Sequence, residues 1–160
     1  MSELRVGLGV DAHALAEGVP LVLGGVPFES DHGLAGHSDG DVVAHALIDA
    51  LLGAAGLGDI GSLFPSAGEK WEGSDSLDLL RDAYAQVCEA GFRLVNADCV
   101  LIGEEPRIAP RRAEMRRRLA AALGVEPERV NVRATTTDRL GFAGRGEGLA
   151  AQAVALLKSA

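Results

Sequence analysis

The longest mostly apolar stretch of the chain, Val42 to Leu57, is interrupted by His45 and Asp49, and it constrains the fold more than any other segment. Val43, Leu47, Ala50, Leu51 and Ala54 recur at helical spacing. Asp41 stands where a cap would accept from the free N–H groups of a first turn, and Gly56 and Gly58 mark an exit. The stretch is too short and too interrupted to span a bilayer. On a helix, Asp41, His45 and Asp49 fall at i, i+4 and i+8, so they stack along one face as a polar stripe between apolar neighbours.

Other elements follow from pattern and punctuation. Leu4 to Val10 and Pro20 to Val26 predict two strands, followed by a polar segment from Glu29 to Gly40. Gly58 to Gly73 is a long connection without periodicity, which points to a functional or mobile segment. Ser76 to Ala90 predicts a second helix stopped by Gly91, and Val95 to Ile102 a strand. Pro110 to Leu123 predicts a third helix ended by Gly124, Val130 to Thr135 a strand, and Leu149 to Lys158 a last helix. No repeat or linker divides the sequence. Residues 1–160, 48% of them hydrophobic, are therefore read as one α/β (α+β) domain with a mixed sheet of four to five strands and helices largely on one face.

Composition narrows the function. With 15 basic against 23 acidic residues the chain carries a formal charge of −8, which argues against generic nucleic-acid or anionic-membrane binding. Cys88 and Cys99 lie outside any C-x-x-C spacing and read as core thiols of a reducing cytoplasm. The N-terminal MSELRVGLGV lacks the marks of a targeting segment. The basic run Arg111, Arg112, Arg116, Arg117 and Arg118 reads as a solvated helix face, and His32 as a surface residue. Few aromatics and 21 glycines imply close packing of small residues, including between subunits.

Two clusters could carry chemistry. Asp11-Ala12-His13 ends the first strand, and strand alternation turns positions 11 and 13 to the same side. If that strand end meets the helix stripe, His45 supplies a third ligand, giving an Asp-His-His set with one open position for zinc. The turn His37-Ser38-Asp39-Gly40-Asp41 crowds a histidine, a hydroxyl and carboxylates just before the same helix. The second cluster is Thr135-Thr136-Thr137-Asp138, followed by the glycine-rich Gly141 to Gly148. Successive hydroxyls at a strand end, with an acid and Arg145 nearby, suit phosphate and a second divalent cation. No P-loop or dinucleotide fingerprint occurs, and these residues name no substrate. A zinc hydrolase also fits the bare chemistry, but neither H-E-x-x-H nor a nucleophile elbow is present.

D-A-H, then G-H-S-D-G-D-V-V-A-H-A-L-I-D-A-L-L-G-A-A-G-L-G-D-I-G-S-L-F-P, then V-N-V-R-A-T-T-T-D-R-L-G-F-A-G-R-G-E-G, in this order, resemble the 2-C-methyl-D-erythritol 2,4-cyclodiphosphate synthase family. The resemblance implies a phosphorus–oxygen lyase of the non-mevalonate route to isoprenoid precursors. In it, the 2-phosphate of 4-diphosphocytidyl-2-C-methyl-D-erythritol 2-phosphate attacks the β-phosphorus and CMP leaves. It implies zinc on Asp11, His13 and His45, with magnesium or manganese near Asp138, which stands where the family often has glutamate. It assigns His37 and Thr136 to transition-state stabilisation. Asp11, Ala12, His13, His37 and Ser38 would line the substrate. Asp59, Ile60 and Gly61 would contact the ribose side, and Phe64, Pro65, Ser66, Ala67 and Gly68 the erythritol side. Gly103, Glu104, Glu105, Pro106, Arg107, Ile108 and Ala109, with Thr135, Thr136, Thr137 and Asp138, would form the cytidine and phosphate pocket. The implied assembly is a homotrimer with active sites between subunits. Phe142 and Arg145 would lie near the substrate or near an isoprenoid diphosphate in an axial cavity.

Overall fold

A computed structural model describes residues 2–36, 38–64 and 75–160. Among the described residues seven strands and five α-helices follow one another: β1 (Leu4–Glu17), β2 (Leu21–Leu23), β3 (Val26–Phe28), β4 (His32–Leu34), α1 (Val42–Ala55), α2 (Ile60–Leu63), α3 (Ser76–Glu89), β5 (Phe92–Ile102), α4 (Arg112–Leu123), β6 (Val130–Thr135), α5 (Gly141–Gly144) and β7 (Gly148–Ser159). Five strands form one mixed sheet in the order β4-β1-β7-β5-β6, and β2 and β3 form a separate hairpin. Only β5 and β6 run parallel, joined through α4; such a pair requires a crossover of this kind.

The predicted first helix is present with both its caps. Asp41 accepts from the Ala44 N–H at 3.1 Å, and Gly56 closes the helix in the left-handed region at φ 72°. Almost every residue of α1 is buried, because it packs between β1 and β7 on one side and α3 on the other. Gly7 and Gly9 permit that approach. A Cβ at position 7 would stand 2.0 Å from the Ala50 carbonyl oxygen, and one at position 9 would stand 1.8 Å from that of Ala46. Helices α1, α3 and α4 share one face of the sheet, as the sequence pattern implied.

Two predicted elements are corrected. Leu149 to Lys158 is not a helix; it lies within β7, hydrogen-bonded to β1 on one edge and β5 on the other. Its alanines favour a helix by propensity, but burial alternates with period two. Ala151, Ala153, Ala155 and Leu157 face the helices, whereas Gln152, Val154 and Lys158 face away. The predicted strand from Pro20 to Val26 is instead broken at Gly24 and Gly25, both at positive φ, into the arms of the β2–β3 hairpin.

Cys88 and Cys99 are both free thiols, and burial pushes Cys99 up to about 12, the behaviour of a core residue. Arg111, Arg116 and Arg118 are occupied structurally. Arg111 and Arg118 reach the hairpin carbonyls of Pro27 and Gly25, and Arg116 reaches those of Val130 and Pro127. No helix among the described residues is long and apolar enough to cross a membrane.

Candidate metal centre and phosphate cleft

Strand β1 passes directly over α1, and this crossing joins the two halves of the first cluster. Asp11 and His13 project from the helix-facing side of β1 toward His45, one turn inside α1. Asp11 Oδ2 lies 2.8 Å from His13 Nε2 and 3.1 Å from His45 Nδ1, and the two ring nitrogens are 3.3 Å apart. Among the described residues this is the one group of three that could hold a metal ion. Ligand atoms 2.0–2.1 Å from a tetrahedral zinc are separated by about 3.3 Å, so this triangle of one oxygen and two nitrogens fits such an ion and leaves a fourth position open.

The electrostatics follow from the same contacts. Burial pushes the Asp11 carboxyl up, but the hydrogen bonds and positive charge of His13 and His45 outweigh it and hold the group down at about 2. His13 is raised, chiefly by its hydrogen bond to Asp11 against the cost of burial. On the far side of His45, Nε2 is 2.9 Å from Ser76 Oγ and 3.0 Å from Ser38 Oγ.

The stripe on α1 divides into separate tasks. Asp41 turns away from the metal-ligating group and accepts from the Gly24 and Gly25 N–H groups at 2.9 and 2.7 Å, tying the hairpin to the helix start. Asp49 accepts from the Ile60 N–H at 2.7 Å and so fixes the segment where Asp59 caps α2. Its carboxyl is raised by burial, against that hydrogen bond. Asp59, Ile60, Gly61 and Phe64 thus follow the stripe in space as well as in sequence. His37, Pro65, Ser66, Ala67 and Gly68 lie outside the described residues.

The second cluster borders an open cleft of about 470 Å³ lined by Glu104, Glu105, Thr136, Asp138, Arg139 and Gly144. Thr135 and Thr137 spend their hydroxyl protons on the carbonyls of Thr136 and Leu140. Thr136 Oγ1 instead accepts from the Asp138 N–H at 3.3 Å, and its own proton meets no protein acceptor among the described residues. Asp138 and Arg139 both hold positive φ, at 53° and 65°, a cost that recurs at ligand-binding turns. Glu104 accepts from the Arg139 N–H at 2.7 Å and braces that turn. Gly103 donates to the Thr135 carbonyl at 3.0 Å, which joins the two predicted stretches. Ile108 is a core residue by its side chain, so only its backbone could face a ligand, while Pro106, Arg107 and Ala109 are partly or fully exposed. Phe142 reaches the other cluster, lining a cleft of about 330 Å³ with Ala12 and His13. Arg145 is held by Glu147 at 2.7 Å.

Sequence reasoning treated Asp39 only as part of a polar turn and Ser76 only as a helix start. In the fold they meet behind His45, and local pattern carries no signal for contacts made 37 residues apart.

Comparison with known proteins bears on the chain as a whole. The YgbB family matches residues 4–158. The chain is 57% identical over 154 residues to the 2-C-methyl-D-erythritol 2,4-cyclodiphosphate synthase of Moorella thermoacetica, covering 96% of this chain and 94% of that protein. It is 59% identical to the protein of the same name from Rubrobacter xylanophilus, covering 100% and 98%. A solved structure of IspF from Plasmodium falciparum in complex with CDP superposes with a TM-score of 0.85 at 30% identity, over 98% of this chain and 96% of that one.

Proposed function

Since the chain belongs to the YgbB family, that of the 2-C-methyl-D-erythritol 2,4-cyclodiphosphate synthases, we propose that it converts 4-diphosphocytidyl-2-C-methyl-D-erythritol 2-phosphate to the 2,4-cyclodiphosphate with release of CMP. One observation carries the reading: Asp11 Oδ2, His13 Nε2 and His45 Nδ1 lie within 4.8 Å of one another and could hold one metal ion. An oxygen of the 2-phosphate bonds to the β-phosphorus as the bond from that phosphorus to the bridging oxygen of the CMP group breaks. The enzyme is cytoplasmic.

The obstacle to this reaction is an anion approaching an anion, so catalysis consists of positioning and charge compensation rather than a covalent nucleophile. Asp11, His13 and His45 would hold zinc, and Asp138, beside Glu104, would hold magnesium or manganese. Bound there, the two cations supply Lewis acidity to phosphoryl oxygens. Thr136 donates a hydrogen bond from its uncommitted hydroxyl to a phosphate oxygen that gains charge, and His37, outside the described residues, would serve the same end. Ser38 and Phe64 line the erythritol side, while Asp59, Ile60 and Gly61 hold the ribose side; Pro65, Ser66, Ala67 and Gly68, outside the described residues, would join the erythritol side. Gly103 to Ala109 enclose the cytidine.

The active enzyme is a homotrimer with sites between subunits, and two features support this. Thr135 at the end of β6 stands three strand positions from Asp11 on β1, roughly 14 Å at 4.8 Å per step, which is wider than one diphosphate. The sheet face opposite the helices also presents Val6 and Leu8 at 70% and 64% exposure beside Val10 and Val154, an apolar patch that a second copy would cover. Incubating purified protein with the substrate, zinc and magnesium tests the chemistry. Phosphorus NMR should show CMP and a cyclic diphosphate in equal amounts, and release of CMP with a linear 2,4-bisphosphate would overturn the cyclase reading.

A further inference from the structure

We propose that Asp39 and Ser76 are a positioning pair that selects the tautomer of His45 and fixes which ring nitrogen it offers to a cation. The proposal rests on the reading of Asp11, His13 and His45 as metal ligands.

Ser76 opens α3, is fully buried, and touches Asp39, His45 and, at 3.3 Å between hydroxyl oxygens, Ser38. Its N–H donates to Asp39 Oδ2 at 3.0 Å, and its hydroxyl makes a short hydrogen bond to Asp39 Oδ1. Asp39 Oδ1 also accepts from the Asp41 N–H at 3.0 Å, which fixes the carboxylate further. A carboxylate can only accept, so the single hydroxyl proton of Ser76 is committed to Asp39. The lone pairs of Ser76 Oγ then face His45 Nε2 at 2.9 Å, and that nitrogen must carry the hydrogen, shared with Ser38 Oγ at 3.0 Å. With a cation bound, Nδ1 is then the nitrogen that offers its lone pair, and Nδ1 is the atom aimed at Asp11 Oδ2 and His13 Nε2. The reverse polarity would set the Ser76 lone pairs against the Asp39 carboxylate. The ring of His45 is thereby held from behind by the turn before α1 and the first residue of α3, while its front completes the ligand triangle. Outer partners of this kind orient a ligating imidazole and raise its basicity.

A merely structural alternative exists, since the same contacts join α3 to the turn before α1. Zinc competition against a chromophoric chelator on the folded full-length chain separates the two roles, read with the cobalt(II) absorption spectrum and the melting midpoint of the metal-stripped protein. Ser76→Ala should weaken zinc binding roughly 10–100-fold and shift the cobalt bands, with little change in the metal-stripped midpoint. Asp39→Asn sets an amide NH₂ against the backbone N–H of Ser76 or of Asp41 in either orientation, so it should also weaken binding. The double variant should bind no more weakly than the worse single one, because both act through one hydroxyl. Ser76→Cys, a poor acceptor of similar shape, carries the measurement if the alanine variant does not fold. Zinc affinity of the Ser76 variant within about twofold of wild type, or losses that multiply in the double variant, would overturn the pair. Wild-type protein that takes up no zinc would overturn the metal reading itself.

Discussion

Asp11 and His13 stand two residues apart on one strand, 2.8 Å between Oδ2 and Nε2, and this contact sets a pH dependence for the metal-free chain. Asp11 falls from an ordinary 3.8 to about 2, so its contribution to stability is present above 3.8 and lost as pH falls toward 2. His13 is raised above 6.5, so its contribution is present below 6.5 and lost as pH rises through the higher folded value. The melting midpoint of chelator-treated protein should therefore gain most from this pair between pH 3.8 and 6.5 and decline toward alkaline pH, and Asp11→Asn should flatten that profile. A midpoint that climbs steadily from pH 6.5 to alkaline values would contradict the assignment. The pairing was legible in the sequence because strand alternation alone turns positions 11 and 13 to one side. The roles of Asp39 and Ser76 were not, because their meeting depends on how α3 docks.

Helix α1 and strand β1 form the contact on which the metal-ligating group is built, and glycine sets their separation. Gly9→Ala would drive a methyl to 1.8 Å from the Ala46 carbonyl oxygen, a clash with backbone rather than with a side chain that can move. Overpacking usually costs about 1–3 kcal/mol, and a rigid backbone neighbour places this variant at or above the top of that range. Chemical denaturation should show a loss of at least about 3 kcal/mol, with zinc affinity falling as His45 moves away from Asp11. The helix itself was readable from its caps and spacing, since Asp41, Gly56 and the apolar positions all agreed. Strand β7 was misread because alanine-rich composition satisfies a helix as well as a buried central strand. The decision lay in its two neighbours, β1 and β5, and in the need for small side chains beneath α1.

At the scale of the whole molecule, the metal-ligating group and the hydroxyl-rich cleft occupy the same end of the sheet but different strands. If a site draws its metal-ligating group from one subunit and its Thr136 cleft from the next, His45→Ala and Thr136→Ala should each be inactive alone and recover activity when unfolded together and refolded as a mixture. Random assembly in equal amounts leaves about a quarter of the sites intact, so about a quarter of wild-type CMP release is expected. Failure of well-folded mixtures to recover would place each site within one subunit. Both clusters were visible in the sequence as local patterns, but their separation was not, because strand order is fixed by pairing across the sheet. The most direct test of the central claim is CMP release by purified protein before and after chelation, with metal content measured on the same samples. The account predicts one zinc per chain, loss of CMP release when it is stripped, and recovery when zinc is returned. Full activity in zinc-free protein would contradict it.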